Sequence, residues 1–408
     1  MVYGTIHTLE NHYTILTDRS GEYWVREDDP KLALSDTMIV PPEVKSIVSK
    51  HPDGVQSPTG GGSTTIDVLV LYTEASSFNY PTFAVAANAA ADADATFSGS
   101  GVTGNVNIVG YQLSSYTEAS PMNEAAIAAV AVEMYDGTGD FTGLSSLRDS
   151  LNADVAVLLF DSSSSSETCA AATPLYTSTG DYSRAVAAIG DGCANSWNNF
   201  THELGHVLGG LHDFLPSPST PFNVCTHANA GDMAFGYTRT TSPSFRTVMG
   251  SAASCTFSSC ARIGLWSDPG ATYMGYAQGV SGQSQMVDVL DTNLCSSAGT
   301  ISLVAGYETP SGSAPGQPGT LDVVSMVCYG FNELNWSASS GNVGWYEVES
   351  SASSMYTSPT VILRGSSLSD IVIDVPSTRY IRVKACNGVG CSSWRNGGAA
   401  ATYYPGCA

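Results

Sequence analysis

The chain has 408 residues, of which 43% are hydrophobic and 9% are aromatic, so it is globular rather than disordered and long enough for two or three domains. Only 15 Lys and Arg face 37 Asp and Glu, which gives a formal net charge of -22. This balance argues against nucleic acid as a partner, because phosphate binding uses clustered Lys and Arg. No apolar stretch reaches the length of a membrane span.

The short N-terminal region ends in a Gly, Pro and Ser-rich stretch at 51–65, and residues before it contain the alternating pieces "YTILTD" and "EYWVRE". We predict a small β-rich unit at 1–62. The opening "MVYGTIHTLENHYTILTD" lacks the segments of a signal peptide. Either the sequence lacks the true N-terminus or export uses another route.

Strand and helix patterns alternate from residue 66. The order is a buried strand "IDVLVLY", a helix "FAVAANAAADADATF", a strand "VNIVGYQL", a helix "PMNEAAIAAVAVEMY", a short helix "GLSSLRDSLN", a strand "DVAVLLF" and two short strands in "CAAATPLYTS" and "RAVAAIG". This rhythm predicts a sheet covered by helices at 63–308.

The C-terminal region follows a second Gly, Pro and Ser-rich stretch, whose core at 309–318 we predict to be a linker. Residues 319–408 contain short alternating strands separated by turn residues, which is typical of a small β-sandwich. Trp336 lies where a core aromatic residue is expected.

Ten cysteines lie after residue 168, six of them between Cys169 and Cys295 and four between Cys328 and Cys407. Each half can therefore pair internally. The alternative is a cysteine zinc site, but no pair has the CxxC spacing of such sites. Disulfides form in oxidising compartments, so we predict a secreted, extracellular protein.

The stretch "THELGHVLGGLHD" at 201–213 carries three histidines and a glutamate. His202 and His206 are four residues apart, so a helix presents both rings on one face, where they can bind one metal ion. Glu203 is the residue that H-E-x-x-H zinc proteases use as general base. A bare H-E-x-x-H also arises by chance, but here the longer pattern H-E-x-x-H-x-x-G-x-x-H-D is complete.

Catalytic zinc needs a third protein ligand and one open position. No Glu occurs between Glu203 and Glu308, which removes a downstream glutamate. His212 is the favoured ligand, because glycine at 209 or 210 can adopt the left-handed backbone that turns the chain back after a helix. Asp213 or Asp232 is a weaker alternative as an aspartate ligand.

The run from His202 to Asp213 resembles the metzincin signature, and the aspartate after the third histidine is similar to the adamalysin, or reprolysin, branch. "RTVMGS" places Met249 where that family has a methionine turn, and "RIGLWSDPGATYMG" at 262–275 resembles the segment that follows it in bacterial reprolysin-like peptidases. The resemblance covers 66 to about 307 and is specific at the zinc motif.

The resemblance implies an α/β (α+β) metzincin catalytic domain with a mixed, mostly parallel twisted sheet and an active-site helix. It implies one catalytic Zn²⁺ on His202, His206 and His212, with Gly209 at the turn, Glu203 as catalytic base and proton shuttle, and Met249 as a structural floor. It further implies that an extended substrate adds to the sheet edge near "CAAATPLYTS". Our preferred disulfide pairings are Cys169 with Cys193 and Cys255 with Cys260.

The flanking regions carry further expectations. Residues 1–62 resemble a pro-region removed on activation, and a stable accessory domain is the alternative. That segment has no cysteine to block zinc, so Asp53 or His51 could cap the metal, or the segment could obstruct the cleft. The C-terminal unit resembles a fibronectin type III module through "YIRVKACNGVGCSSW", where Cys386 and Cys391 could bridge a hairpin. Attachment to an extracellular surface or polymer, or spacing, is its expected role.

These observations predict a secreted zinc-dependent metalloendopeptidase, made as a zymogen, that hydrolyses protein or peptide substrates through a zinc-bound water activated by Glu203. An adhesin or surface-binding protein with a structural or vestigial zinc domain is the alternative. Ca²⁺ binding fits the acidic surface, but no residues are assigned to it.

Overall fold

The structure is a computed structural model. It describes residues 4–7, 12–17, 23–27, 36–38, 65–79, 82–164, 169–173, 185–196, 198–213, 234–251, 255, 260–290, 313–326, 331–373, 379–387 and 389–400. No helix in these ranges is long and apolar enough to cross a membrane.

The described residues of the N-terminal region form four strands, of which the first three form an antiparallel sheet in chain order, as the alternating sequence predicts. The fourth leaves that sheet and joins the large sheet described next. The four are β1 (Gly4–His7), β2 (His12–Thr17), β3 (Tyr23–Glu27) and β4 (Asp36–Met38).

The central region alternates strands and helices as the sequence pattern predicts. Its elements are β5 (Thr65–Tyr72), α1 (Glu74–Asn79), α2 (Thr82–Gly99), β6 (Asn105–Leu113), α3 (Glu124–Asp136), α4 (Leu144–Leu151), β7 (Val155–Phe160), β8 (Ala170–Ala172), β9 (Val186–Gly190), α5 (Asp191–Ala194) and α6 (Asn199–Val207).

These strands form a six-stranded sheet in the order β4-β8-β9-β7-β5-β6. Every neighbouring pair is parallel except β8 with β9. The expectation of a mixed, mostly parallel sheet is therefore confirmed.

Both faces of the sheet are buried, which explains why β5 and β7 are apolar at nearly every position. Val68 and Val70 point into a core shared with α2 and α6, whereas Leu69 and Leu71 point into a second core shared with α3 and α4. The alternation follows from the two-residue period of a strand.

Between residues 234 and 290, the described part of the chain forms two-residue strands and a short helix that lie close to the first core. They are β10 (Thr238–Arg239), β11 (Phe245–Arg246), β12 (Ala261–Arg262), β13 (Thr272–Tyr273), β14 (Tyr276–Ala277) and α7 (Met286–Leu290).

The C-terminal region is a sandwich of two sheets, one with the order β15-β16-β19 and one with the order β18-β17-β20-β21, in which β22 also pairs with β20. Trp336 and Leu334 from the first sheet pack with Val348 and Val383 from the second, so Trp336 is a core aromatic as expected. The strands are β15 (Leu321–Met326), β16 (Phe331–Trp336), β17 (Trp345–Ser351), β18 (Thr360–Gly365), β19 (Ser369–Ile373), β20 (Arg379–Asn387), β21 (Gly390–Cys391) and β22 (Arg395–Ala400).

The sandwich lies directly against β6, at the far edge of the central sheet. The amide of Tyr111 donates to the carbonyl of Gly344 over 3.1 Å, and the Tyr111 ring meets the Trp345 ring edge-on at 6.0 Å between centroids. A Cβ at Gly344 would lie 2.2 Å from the Val109 carbonyl oxygen, so a residue without a side chain is required there. The sandwich is therefore docked on the central region, and its expected role in attachment or spacing stays a prediction.

Candidate active site

Helix α6 carries the first half of the zinc motif and is buried along its whole length. Its apolar residues Phe200, Leu204 and Val207 belong to the core that also contains residues of β8 and β9. This packing fixes the helix on the sheet. It leaves His202 and His206, one turn apart, on a common side of the helix.

Two glycines end α6 and turn the chain back. Gly209 has φ +88°, in the left-handed region that favours glycine, and its amide donates to the carbonyl of His206. The Gly210 amide donates to the Gly205 carbonyl over 2.7 Å, and a Cβ at Gly210 would lie 2.8 Å from that oxygen. Of the two glycines offered by the sequence, Gly209 therefore supplies the left-handed residue and Gly210 the close approach.

The turn brings His212 back to the two helical histidines. The Nε2 atom of His212 lies 3.1 Å from Nε2 of His202 and 3.0 Å from Nε2 of His206. In the described part of the chain these three residues form the group whose ligand atoms all lie within 4.8 Å of one another. The three predicted ligands thus converge on one point.

Backbone carbonyls set the orientation of two of the rings. Nδ1 of His202 lies 2.6 Å from the Val248 carbonyl oxygen, and Nδ1 of His206 lies 2.8 Å from the Gly210 carbonyl oxygen. A carbonyl only accepts, so each Nδ1 carries the proton and each Nε2 keeps its lone pair. Such contacts fix the tautomer of metal-binding histidines.

The donor set fits zinc. Zn–N bonds of about 2.0–2.1 Å in tetrahedral geometry separate two nitrogens by roughly 3.3 Å, which is close to the observed spacings. Three neutral imidazoles also leave the fourth position open, as catalytic zinc sites require. Without a cation, three lone pairs directed at one point would repel one another.

Met249 lies beneath the helix. It is buried, and a Cβ placed on Gly205 would come within 2.4 Å of its sulfur and 2.9 Å of the Trp266 ring. Helix α6 therefore rests directly on Met249 and Trp266 at the one position where it has no side chain. Met249 therefore lies against the helix from below, as expected of a structural floor. Trp266 is a second residue in this position, and sequence reasoning did not single it out.

Asp213 is tied to the same segment rather than to the histidines. Its Oδ1 accepts from the amide of Ser251 over 3.1 Å, two residues after Met249. With this contact the aspartate acts as a brace between the end of the zinc motif and the segment below it. The weaker alternative of Asp213 as metal ligand gains no support, since it is absent from the converging group.

Glu203 follows His202 directly and is 1% exposed. Its carboxylate is therefore held out of water, directly after the first of the three histidines. Among the other residues named from the sequence, His51, Asp53 and Asp232 lie outside the described residues.

Two disulfides expected near the site are present. Cys169 pairs with Cys193, which ties the start of β8 to α5, and Cys255 pairs with Cys260 after Met249. The hairpin bridge between Cys386 and Cys391 is also present in the C-terminal sandwich. All three pairings proposed from the sequence are confirmed.

Asp191, at the start of α5, is a buried acid that sequence reasoning missed. Its Oδ1 accepts from the Ser162 amide, the Ser162 hydroxyl and the Gly192 amide. Burial raises the pKa of Asp191 to about 6, although these hydrogen bonds oppose the shift. No local motif marks this residue, because its environment comes from the loop after β7.

A buried arginine joins the first turn of α6 to the segment after Met249. Nη1 of Arg262 donates to Oδ1 of Asn199 over 2.7 Å. Arg262 lies beside Arg246 in the parallel pair β11–β12, and Arg246 donates to the carbonyls of Gly250 and Cys260. Two buried cations thus support the polypeptide that follows the metal site.

Comparison with known proteins agrees with this geometry. Residues 62–262 match the family model Reprolysin_5, described as metallo-peptidase family M12. This part of the chain is a reprolysin-like metallopeptidase domain. The match includes all three histidines and Met249.

Curated relatives are similar over the same region. A peptidyl-Asp metalloendopeptidase of Stenotrophomonas maltophilia (strain R551-3) is 27% identical over 241 residues, which is 58% of this chain and 53% of that protein. One of the same name from Xanthomonas campestris pv. campestris is 26% identical over 54% of this chain and 48% of that protein. The chain spans about half the length of the curated relatives it matches.

Solved fibronectin-type structures match a smaller part of the chain. A structure of FN3tt is 19% identical with a TM-score of 0.20, covering 22% of this chain and 98% of that one. An Fn3-like protein from Clostridium thermocellum is 24% identical with a TM-score of 0.19, covering 22% and 96%.

Proposed function

We propose that the protein is a secreted zinc metalloendopeptidase that uses Glu203 as general base. The observation that carries the proposal is the convergence of three Nε2 atoms, with the rings of His202 and His206 oriented by backbone carbonyls. Zinc bound by His202, His206 and His212 would supply a Lewis acid that polarises the scissile carbonyl and lowers the pKa of a water molecule.

The protein's own residues transfer the proton and hold the metal-binding helix in position. The Glu203 carboxylate accepts the proton of the attacking water and later delivers it to the nitrogen of the leaving amine. His202 and His206 hold their Nδ1 protons on carbonyls throughout, so they take no part in proton transfer. Met249 and Trp266 keep the helix in place.

The test is zinc content and hydrolysis of casein by the full chain, before and after cleavage between Met38 and Thr65, with Glu203→Gln as the variant. We expect both proteins to hold about one zinc and only the wild type to cleave in a chelator-sensitive manner. A wild-type protein with full zinc and no cleavage would favour the alternative, an adhesin or surface-binding protein with a structural zinc domain.

For substrate preference, we infer cleavage at aspartate, because the curated relatives bear the name peptidyl-Asp metalloendopeptidase. A chain with net charge -22 repels acidic peptides, so a local cation is needed to bind one. Arg246 is our candidate, since it lies three residues before Met249 and its guanidinium contacts the carbonyls of Gly250 and Cys260.

Paired peptides that differ only in Asp or Asn test this preference. We expect the ratio of their kcat/KM values to fall in Arg246→Gln and to persist in Arg246→Lys. The equally buried Arg262→Gln is the control, because its guanidinium faces Asn199. The ratio is insensitive to partial misfolding, since both peptides meet the same enzyme preparation.

Secretion and the roles of the flanking regions complete the proposal. The three disulfides support an oxidising compartment. We propose that residues 1–62 are a pro-region and that residues 319–408 are a sandwich whose outer surface is available for attachment to an extracellular surface or polymer.

A further inference from the structure

The strand β4 from the N-terminal region pairs with β8, which lies farthest from β6 among the strands contributed by the central region. The two run parallel, with Asp36 opposite Ala170, Thr37 opposite Ala171 and Met38 opposite Ala172. Two strands that are far apart in sequence therefore form the outermost strand pair at this edge of the sheet.

The edge that β4 covers belongs to the site. Ala170 and Ala172 of β8 lie in the same core as Leu204 of α6 and as Met249. Cys169, the residue directly before β8, forms a disulfide with Cys193 of α5. That helix directly precedes α6, the helix of the zinc motif. An extended peptide that pairs with β8 would accordingly lie alongside the metal-binding helix.

The opposite edge of the sheet is closed to peptides. Along β6 the amide of Val106 donates to Asp94, that of Tyr111 to Gly344, and that of Leu113 to Ser366. Two of these acceptors belong to the C-terminal sandwich. A peptide that adds a strand to this sheet has β8 as its available partner.

We propose that residues 36–38 are an intramolecular inhibitory strand, which occupies the backbone hydrogen-bonding edge of β8 that an extended substrate needs. The inference rests on the proposed peptidase function. Its partner is a segment of this chain, and the interaction surface is the outer edge of β8.

The hydrogen bonds follow from the register. The Cys169 carbonyl and the Thr173 amide both bond to β9, so the alternate residues Ala170 and Ala172 direct their backbone groups toward β4. In a parallel pair, Thr37 opposite Ala171 then donates its amide to Ala170 and accepts from the amide of Ala172. Thr37 alone of the three strand residues makes both contacts with β8.

The inhibition is reversible because the pairing between β4 and β8 is short and parallel. The contact has three residue pairs, and parallel pairing is slightly weaker per residue than antiparallel pairing. A substrate strand in the antiparallel direction could therefore displace it. What keeps β4 in place is the covalent connection to β5, which gives it a high effective concentration, on the order of millimolar. Cleavage of the chain between Met38 and Thr65 would remove that advantage.

The full chain carrying Thr37→Pro tests the proposal, because proline removes the amide that reaches Ala170. Met38→Pro is the matched control, since the Met38 amide faces away from β8 and proline is tolerated at such edge positions. For a peptide substrate we expect Thr37→Pro to lower KM about threefold or more with kcat unchanged, and Met38→Pro to match the wild type.

Hydrogen exchange of the peptide covering residues 169–173 gives a reading independent of activity. We expect faster exchange in Thr37→Pro, because loss of the bond from residue 37 to the Ala170 carbonyl weakens the strand pair and frees the Ala172 amide more often. We expect wild-type exchange in Met38→Pro, which removes no bond to β8. Faster exchange with an unchanged KM in an active enzyme would overturn the inhibitory role. Unchanged exchange would overturn the pairing itself. Zinc-loaded protein that cleaves nothing in any variant would instead defeat the proposed function.

Discussion

Nδ1 of His202 lies 2.6 Å from the carbonyl oxygen of Val248, the residue directly before Met249. Through this contact the segment around Met249 sets the orientation of a metal-binding ring as well as supporting the helix from below. Its contribution to the site is therefore positional, which makes the packing around Met249 testable through zinc affinity.

Gly205→Ala should disturb this packing. The new methyl group would lie 2.4 Å from the Met249 sulfur and 2.9 Å from the Trp266 ring, so the helix must move. We expect the free energy of unfolding to fall by about 1–3 kcal/mol and zinc affinity to fall with it. Chemical denaturation and competition with a chelating dye measure the two effects. If Met249→Ala fails to restore either quantity in the Gly205→Ala background, the contact is not the cause.

Gly209→Ala should weaken zinc binding more than it weakens the fold. An alanine at φ +88° costs about 1–2 kcal/mol, and relaxation of the turn moves His212 away from the other two rings. The expected loss in zinc affinity is at least about tenfold. Gly282→Ala is the control, because Gly282 has φ +74° and open space around it, far along the chain from the zinc motif. Equal zinc affinity in the two variants would contradict the role of the turn.

Gly344→Ala should loosen the docking of the C-terminal sandwich. Its Cβ would lie 2.2 Å from the Val109 carbonyl oxygen, a backbone atom that cannot move aside cheaply. We expect the central region to unfold at lower denaturant concentration and the domain boundary to become sensitive to limited proteolysis. Gly398→Ala, whose nearest neighbour would be 3.9 Å away, should behave as wild type. Identical behaviour of both variants would mean that the docking adds no stability.

Asp191 should produce a pH dependence of stability. Its folded pKa of about 6 lies above the ordinary value of 3.8, so the folded state binds more protons between these values. Stability contributed by this group is therefore present below pH 4 and lost as the pH rises to 6, by at most about 3 kcal/mol. Asp191→Asn removes the titration while its amide oxygen can keep the three hydrogen bonds. The difference in unfolding free energy between the two proteins should shrink or reverse from pH 4 to pH 7, and a constant difference would contradict the shift.

The zinc motif was predictable because its parts lie within eleven residues and obey the geometry of one helix and one turn. His202, His206 and His212 converge as the spacing requires, and Gly209 adopts the expected backbone. The alternating pattern likewise predicted β5 to β9 in chain order, since buried strands and amphipathic helices have distinct periods.

Contacts between segments that are distant in sequence are not marked by any local sequence pattern. The pairing of β4 with β8 involves three residues whose partners lie beyond residue 169, and backbone hydrogen bonds carry no side-chain signature. The docking at β6 depends on the absence of a side chain at Gly344, which in sequence looks like any turn glycine. Asp191 is buried by residues from other elements, so its pKa followed only from the structure.

In the proposed enzyme, three histidines hold a catalytic zinc ion and Glu203 moves the proton. The most direct measurement compares zinc content and chelator-sensitive peptide hydrolysis in wild type and Glu203→Gln. We expect about one zinc in each protein, and we expect hydrolysis to be at least about a hundredfold slower in the variant than in the wild type. Hydrolysis that persists in Glu203→Gln, or that continues after complete removal of zinc, would contradict it.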